Sequence, residues 1–211
     1  MRTAEFIEFL KRNGMYFEHD GHPDRPYPLL TSGHIADGYI DITTDDPAIL
    51  EIIAMQMLHR VNAPLLAGAE YIVGLPYASL YLGYELARRL RRKTAFLEFS
   101  RTEPDAMIVQ RYQRYLEGKR VILVDNAMTT GGTLQVAVDL LASIGATVDS
   151  ILCVANWSGG RVLPGTHIPV HGALEPKFTM WKPGENPLVE RVLPLKPKVG
   201  NNWEVLTREY P

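Results

Sequence analysis

Cysteine is almost absent from this chain. Its one thiol, Cys153, sits in the apolar run from Ile151 to Ala155 of a 211-residue sequence and reads as a core residue. With a single cysteine no disulfide framework closes within one chain, so the core must hold without staples and a reducing, cytoplasmic setting is expected. Long apolar runs are missing as well. None approaches the ~20 residues needed to span a bilayer, and residues 3–12 read as an amphipathic helix rather than a signal peptide. Neither sign of charge is in excess: 22 basic against 24 acidic side chains leave a formal net charge of −2. That balance exerts no general pull on nucleic acid, and any polyanionic ligand has to be held by a local site. Metal-ligand clusters are lacking too. His19 and His22 flank Asp20-Gly21, which reads as a solvated loop, and no histidine set has zinc spacing, so no protein-held metal is expected. No G-x-G-x-x-G follows a predicted strand, which argues against a dinucleotide-dependent oxidoreductase. Residues 1–45 offer no pair of helices for docking into DNA. The basic run Arg88, Arg89, Arg91, Arg92 and Lys93 has no interleaved aromatics, and reads as a helix end complementing its dipole.

What is present is an ordinary globular composition, 46% hydrophobic and 22% charged, at a length that suits one domain. Its most informative stretch runs from Val121 to Thr133. Four branched apolar residues, Val121–Val124, predict a strand buried on both faces. Asp125 and Asn126 follow at its predicted end. Ala127 and Met128 lead into Thr129, Thr130, Gly131, Gly132 and Thr133, and a helical pattern spans roughly 134–144. A Gly-rich turn between a buried strand and a helix exposes backbone N–H groups at a helix N-terminus, which suits a phosphate. The acid before it is placed to accept hydrogen bonds from sugar hydroxyls.

The rest of the chain alternates strands with helices. Asp46-Pro47 predicts a helix start, with Ile49, Ile52, Ile53, Met57 and Leu58 on its buried face. Tyr71–Leu75 reads as a buried strand, Pro76–Ser79 as a turn, Leu80–Leu90 as a helix and Ala95–Phe99 as a strand. Residues 100–118 form the longest candidate loop. Val148–Ala155 completes a mostly parallel, twisted α/β sheet covered on both faces. Leu29–Ile42 suggests a strand pair. Residues 157–211, with eight prolines and all three tryptophans, predict short strands and turns packed by aromatics.

The Val121–Thr133 stretch resembles the 5-phosphoribosyl-1-pyrophosphate (PRPP) signature of type I phosphoribosyltransferases. The chain as a whole is similar to the orotate branch: its length, the opening Phe6-Ile7-Glu8-Phe9, then Leu30-Thr31-Ser32-Gly33, an aromatic strand at Tyr39, and Val73-Gly74-Leu75-Pro76-Tyr77-Ala78-Ser79. The resemblance implies the type I phosphoribosyltransferase fold over residues 1–211, with a core at about 45–155 and a small hood built from 1–45 and 156–211. It implies attack of a nitrogen base, of pyrimidine type, on C1 of PRPP with loss of pyrophosphate. Thr129–Thr133 would hold the 5′-phosphate and Asp125 the ribose hydroxyls, with Asn126, Ala127 and Met128 in the same segment. Leu75, Pro76, Tyr77, Ala78 and Ser79 would bind pyrophosphate, and Thr31, His34 and Tyr39 the base. Mg²⁺ would arrive with PRPP, and a homodimer is implied.

Three departures stand out. Asn126 occupies the place of a second acid. Residues 94–118, where the family carries Lys and His, contain neither, and Arg101, Asp105, Arg111 and Arg114 are among the charges left there. Thr31 stands where the orotate branch has Lys. Arg101 is the candidate catalytic cation beside Asp125, although an arginine is a poor proton donor. Two readings therefore stay open: a transferase with altered base preference, or a weakly catalytic PRPP or nucleotide sensor. Tyr112 and Tyr115 are open between stacking on a base and packing, and Trp181 reads as a hairpin anchor.

Overall fold

A computed structural model describes residues 1–30, 32–61, 66–100, 102, 106–109, 111–182, 184–185, 191–194 and 202–209. Thr31, Arg101 and Asp105 lie outside the described residues. In chain order the elements are α1 (Thr3–Arg12), β1 (Tyr16–Glu18), β2 (Tyr27–Leu29), β3 (Ile35–Ala36), β4 (Gly38–Ile40), α2 (Pro47–Arg60), β5 (Tyr71–Gly74) and α3 (Ser79–Leu90). Then come β6 (Lys93–Phe96), β7 (Glu98–Phe99), β8 (Met107–Ile108), α4 (Gln113–Leu116), β9 (Arg120–Met128), α5 (Gly132–Ser143) and β10 (Thr147–Asn156). Last are β11 (Val170–Leu174), β12 (Met180–Trp181), β13 (Val192–Pro194) and α6 (Trp203–Thr207). Residues 42–176 make one compact unit, and residues 1–41 with 177–211 make another.

The central unit is built on a five-stranded sheet of order β11-β10-β9-β5-β6, parallel throughout. Its inner strands β5 and β9 are buried on both faces over Tyr71–Gly74 and Val121–Val124 because helices cover both. Val121, Ile122, Leu123 and Val124 are all fully buried. On one face Leu134, Ala137 and Leu141 of α5 pack with Val73, Leu123, Ile151 and Cys153. From β5 to β6 the chain steps one way across the sheet, and from β9 to β10 it steps the other way. Right-handed crossovers therefore put α3 and α5 on opposite faces.

Helix α2 starts as its sequence requires: the Asp46 carboxylate accepts the Ala48 N–H at 2.8 Å, and Pro47 holds the first position. Its buried stripe is Ile53, Ala54, Gln56 and Met57, while Ile49, Ile52 and Leu58 are half-buried. The stripe is shifted because α2 packs on α3, β10 and β11 together.

Several boundaries differ from the sequence expectation. The strand from Val121 runs on to Met128, because β10 offers a ladder as far as Asn156. Cross-strand pairing outweighs the weak strand preference of Asp and Asn. Helix α5 begins at Gly132 rather than 134. The stretch Ala95–Phe99 divides: β6 stays in the sheet, whereas β7 leaves it to pair antiparallel with β8. The candidate loop 100–118 therefore contains β8 and the short helix α4.

The terminal unit holds the antiparallel pair β1–β4 and a second sheet of order β12-β3-β2-β13. Aromatic rings pack it. Trp203 lies edge-on to Phe17 and Tyr39, and its Nε1–H donates to the Gly14 carbonyl at 2.6 Å. Trp181 sits on β12, edge-on to Tyr27.

Candidate active site

Because the chain winds one way across the sheet from β5 and the other way from β9, a switch point lies between these two parallel strands. Ligands of open α/β sheets bind outside the carboxyl ends of the strands at such a point. The segment ending β9 carries the acid and the Gly-rich turn that suit a phosphorylated sugar, and the turn after β5 is the stretch that the resemblance assigns to pyrophosphate.

The turn after β5 is tied to β9 by the Leu75 N–H, which donates to the Val124 carbonyl at 3.0 Å. Gly74 is required for the close return of the chain, since a Cβ there would lie 2.7 Å from the Ser79 carbonyl oxygen. Gly83 on α3 faces Gly74, and a Cβ at Gly83 would lie 3.1 Å from the Gly74 Cα. Helix α3 thus seats directly on β5, and Ser79 at its start is 1% exposed. The peptide between Pro76 and Tyr77 is cis. Tyr77 projects outward, 67% exposed, with its ring edge-on to Phe99.

Asp125 is held by the start of α3 and by its own strand. Ser79 Oγ donates to Asp125 Oδ1 at 3.2 Å, and the Asn126 N–H donates to the same oxygen at 2.7 Å. The carboxylate is only partly buried, so it can still meet a ligand. Opposite it in the sheet, Cys153 is fully buried. Burial first, and then the Asp125 charge, push that thiol far above its ordinary range, which keeps it neutral and unreactive. Met128 is a core residue, and its carbonyl accepts the Trp157 N–H at 2.8 Å.

The chain turns at Thr129 and Thr130 and enters α5 through Gly131, which has φ of +85°. Only glycine takes that backbone conformation at little cost. A Cβ on Gly131 would also lie 2.9 Å from Leu163 Cδ1 and 3.3 Å from Pro164 Cδ. Among the described residues no side chain caps α5, and no acid stands in its first turn. The N–H groups of that turn and the positive end of the helix dipole are thus available to an anion. Gly132 and Thr133 are exposed on the same turn.

Asp125, Asn126, Ala127, the Thr129–Thr133 turn and Leu75–Ser79 belong to the central unit. His34 and Tyr39 belong to the terminal one. His34 contacts Ser32 Oγ at 3.2 Å, and Tyr39 packs on Trp203. Among the arginines of the 100–118 stretch, Arg111 is exposed and 3.7 Å from Glu98, while Arg114 lies over the ring of Tyr115. Tyr112 packs edge-on against Phe96 at 4.9 Å between ring centres. The sequence reading did not single out Leu163 and Pro164 behind Gly131, nor the Asn156–Gly160 turn that precedes them. The cluster Asn156, Ser158, Gly159, Gly160 is the turn signal that could have marked it.

A sequence profile of the phosphoribosyl transferase domain matches residues 44–163. The chain belongs to that family. The match covers β5, β9 and both turns of the site. An orotate phosphoribosyltransferase from Thermotoga maritima is 29% identical over 189 residues, spanning 89% of this chain and 93% of that protein. The fold is that of the orotate phosphoribosyltransferase from Aeropyrum pernix (TM-score 0.62, 21% identity, 81% of this chain and 93% of that one). It is also that of the adenine phosphoribosyltransferase from Trypanosoma brucei (TM-score 0.56, 14% identity, 83% and 81%). The protein is a phosphoribosyltransferase of the type I fold, similar to the orotate branch. A fold common to orotate and adenine enzymes does not choose the base.

Proposed function

We propose that this phosphoribosyltransferase moves the phosphoribosyl group of PRPP to a pyrimidine-type, orotate-like base and releases pyrophosphate. The observation that carries the reading is Asp125, fixed by Ser79 between the two turns at the carboxyl ends of β5 and β9. The uncapped start of α5 would receive the 5′-phosphate through backbone N–H groups. Asp125 would accept hydrogen bonds from the ribose hydroxyls and stabilise positive charge developing on the ring as the C1–oxygen bond breaks. Leu75–Ser79 would bind the departing pyrophosphate, with Arg101 as its cation, and Thr31, His34 and Tyr39 would recognise the base.

Among the described residues no three His, Cys, Asp or Glu side chains gather to cage a metal. The donors at the site, from Asp125, Ser79 and Asn126, are hard oxygens of the kind Mg²⁺ takes, and too few to fill its shell without substrate and water. When bound, Mg²⁺ supplies positive charge to the diphosphate. A homodimer in a reducing cytoplasm completes the proposal; the lone, buried Cys153 suits the reducing compartment.

A second reading has its own support. Residues 94–118 contain no Lys and no His, so proton transfer to the leaving group lacks its usual carriers, and a PRPP-binding protein of weak activity is the alternative. Calorimetry with Mg–PRPP, followed by a screen of pyrimidine and purine bases for pyrophosphate release, separates the two. Binding with release that depends on a pyrimidine supports transfer. Binding without release from any base supports the sensor, and absence of binding removes both.

A further inference from the structure

Behind the phosphate turn, the chain leaving β10 closes into a network. Asn156 is 3% exposed. Its Nδ2 donates to the Gly160 carbonyl at 2.8 Å, and its Oδ1 accepts the Ser158 N–H at 3.1 Å and the Ser158 hydroxyl at 2.7 Å. Ser158 Oγ in turn accepts the Gly160 N–H at 3.0 Å. Gly172 on β11 leaves room for this turn, since a Cβ there would lie 2.8 Å from the Asn156 Cβ.

The bonds at Asn156 set the direction of the segment that follows. The Arg161 carbonyl accepts the Val170 N–H at 2.9 Å, and the Leu163 N–H donates to the Ile168 carbonyl at 2.9 Å. Thr166 Oγ1 donates to the Leu163 carbonyl at 2.9 Å and accepts the Ile168 N–H at 3.1 Å. At the head of this hairpin Leu163, fully buried, and Pro164 sit against Gly131. Trp157 fixes the near end through its N–H bond to Met128. Gly172 thus abuts Asn156, Asn156 holds Gly160, and the chain leads from there within three residues to Leu163 against Gly131.

We propose that Asn156 is a positioning residue for 5′-phosphate binding: it holds Leu163 and Pro164 against Gly131, and so fixes the left-handed turn that opens α5. The proposal rests on the reading of that turn as the phosphate site. Glycine visits many backbone conformations when nothing confines it. A turn released from its support would have to be ordered by the ligand, at a cost in affinity. A substitution at Asn156 also leaves the Gly160 carbonyl and the Ser158 N–H without their buried partner. A purely structural asparagine would alter melting temperature and spare the affinities of the folded protein.

The test is titration calorimetry with ribose 5-phosphate and, separately, with magnesium pyrophosphate, on the unsubstituted chain, Asn156→Ala and Leu163→Val. Leu163→Val withdraws the Cδ atom nearest Gly131 and leaves the network at Asn156 in place. Ribose 5-phosphate should bind at least about tenfold more weakly to Asn156→Ala, with a smaller loss in the same direction for Leu163→Val. Pyrophosphate, assigned to Leu75–Ser79, should keep its affinity within about twofold. If Asn156→Ala does not fold, Leu163→Val decides alone. Unchanged ribose 5-phosphate affinity in a folded variant, or equal loss of both ligands, overturns the proposal. Failure of the unsubstituted chain to bind ribose 5-phosphate overturns the phosphate-site reading itself, and this inference with it.

Discussion

At the scale of single residues, the carboxylate of Asp125 is oriented before any ligand arrives, because Ser79 and the Asn126 N–H hold one of its oxygens. Its charge matters most as the ribose ring becomes cationic. Asp125→Asn should therefore lower kcat for phosphoribosyl transfer by a larger factor than it weakens PRPP binding. Single-turnover rates set beside calorimetric affinities check this, and equal losses in both would make Asp125 a structural acid. His171 belongs to stability rather than to the site. Its Nε2 is buried without a hydrogen-bond partner among the described residues, and burial pulls its pKa below the ordinary value of 6.5. Below that value the unfolded chain takes up the proton more readily than the folded one. The stability His171 contributes is thus complete above about pH 6.5 and is lost as pH falls. Replacing it by Leu should flatten the fall in melting temperature between about pH 7.5 and 5; an unchanged slope would mean that His171 is not held neutral. Asp125 and the glycines beside it were legible in the sequence because their signal lies in consecutive residues. The Ser79 hydrogen bond was not, because its partners stand 46 positions apart and meet only once β5 and β9 pair.

At the scale of elements, β9, the turn and α5 work as one device. The strand carries Asp125, the turn reverses at Gly131, and the helix presents an uncapped start. Gly131→Val should weaken binding of PRPP or a nucleoside monophosphate by more than ~1.4 kcal/mol, a factor of ten. It forces a β-branched residue into a left-handed backbone and presses on Leu163. Gly132→Ala is the control for stability, because a Cβ there meets nothing nearer than Thr130 Oγ1 at 3.9 Å; its melting temperature should hold or rise slightly. Full affinity in a folded Gly131→Val protein would place the phosphate elsewhere. Helices α1 and α2 were readable from apolar spacing and from Asp46-Pro47. The division of β6 from β7 and the extension of β9 were not. Both follow from which partner strand is within reach, and local pattern carries no information about that.

At the scale of the whole molecule, alternation of strands and helices made the parallel sheet legible, and the strand order then fixed a switch point beside Asp125. The last strand of the sheet was harder to read. Val170–Leu174 lies in the proline-rich part of the chain, yet it completes the sheet against β10. Base preference is the least legible property, since Thr31 and Arg101 lie outside the described residues and the fold serves both orotate and adenine enzymes. The chemistry missing from residues 94–118 still sets an expectation. General acid–base help is typically worth about 10²–10⁴-fold, so turnover should be slow even where PRPP is held well. The most direct measurement is steady-state consumption of orotate with Mg–PRPP, followed together with pyrophosphate release. Stoichiometric release is expected at a rate well below ~10 s⁻¹, the middle of the usual enzyme range. Release that depends on purines and never on orotate or another pyrimidine would contradict that expectation.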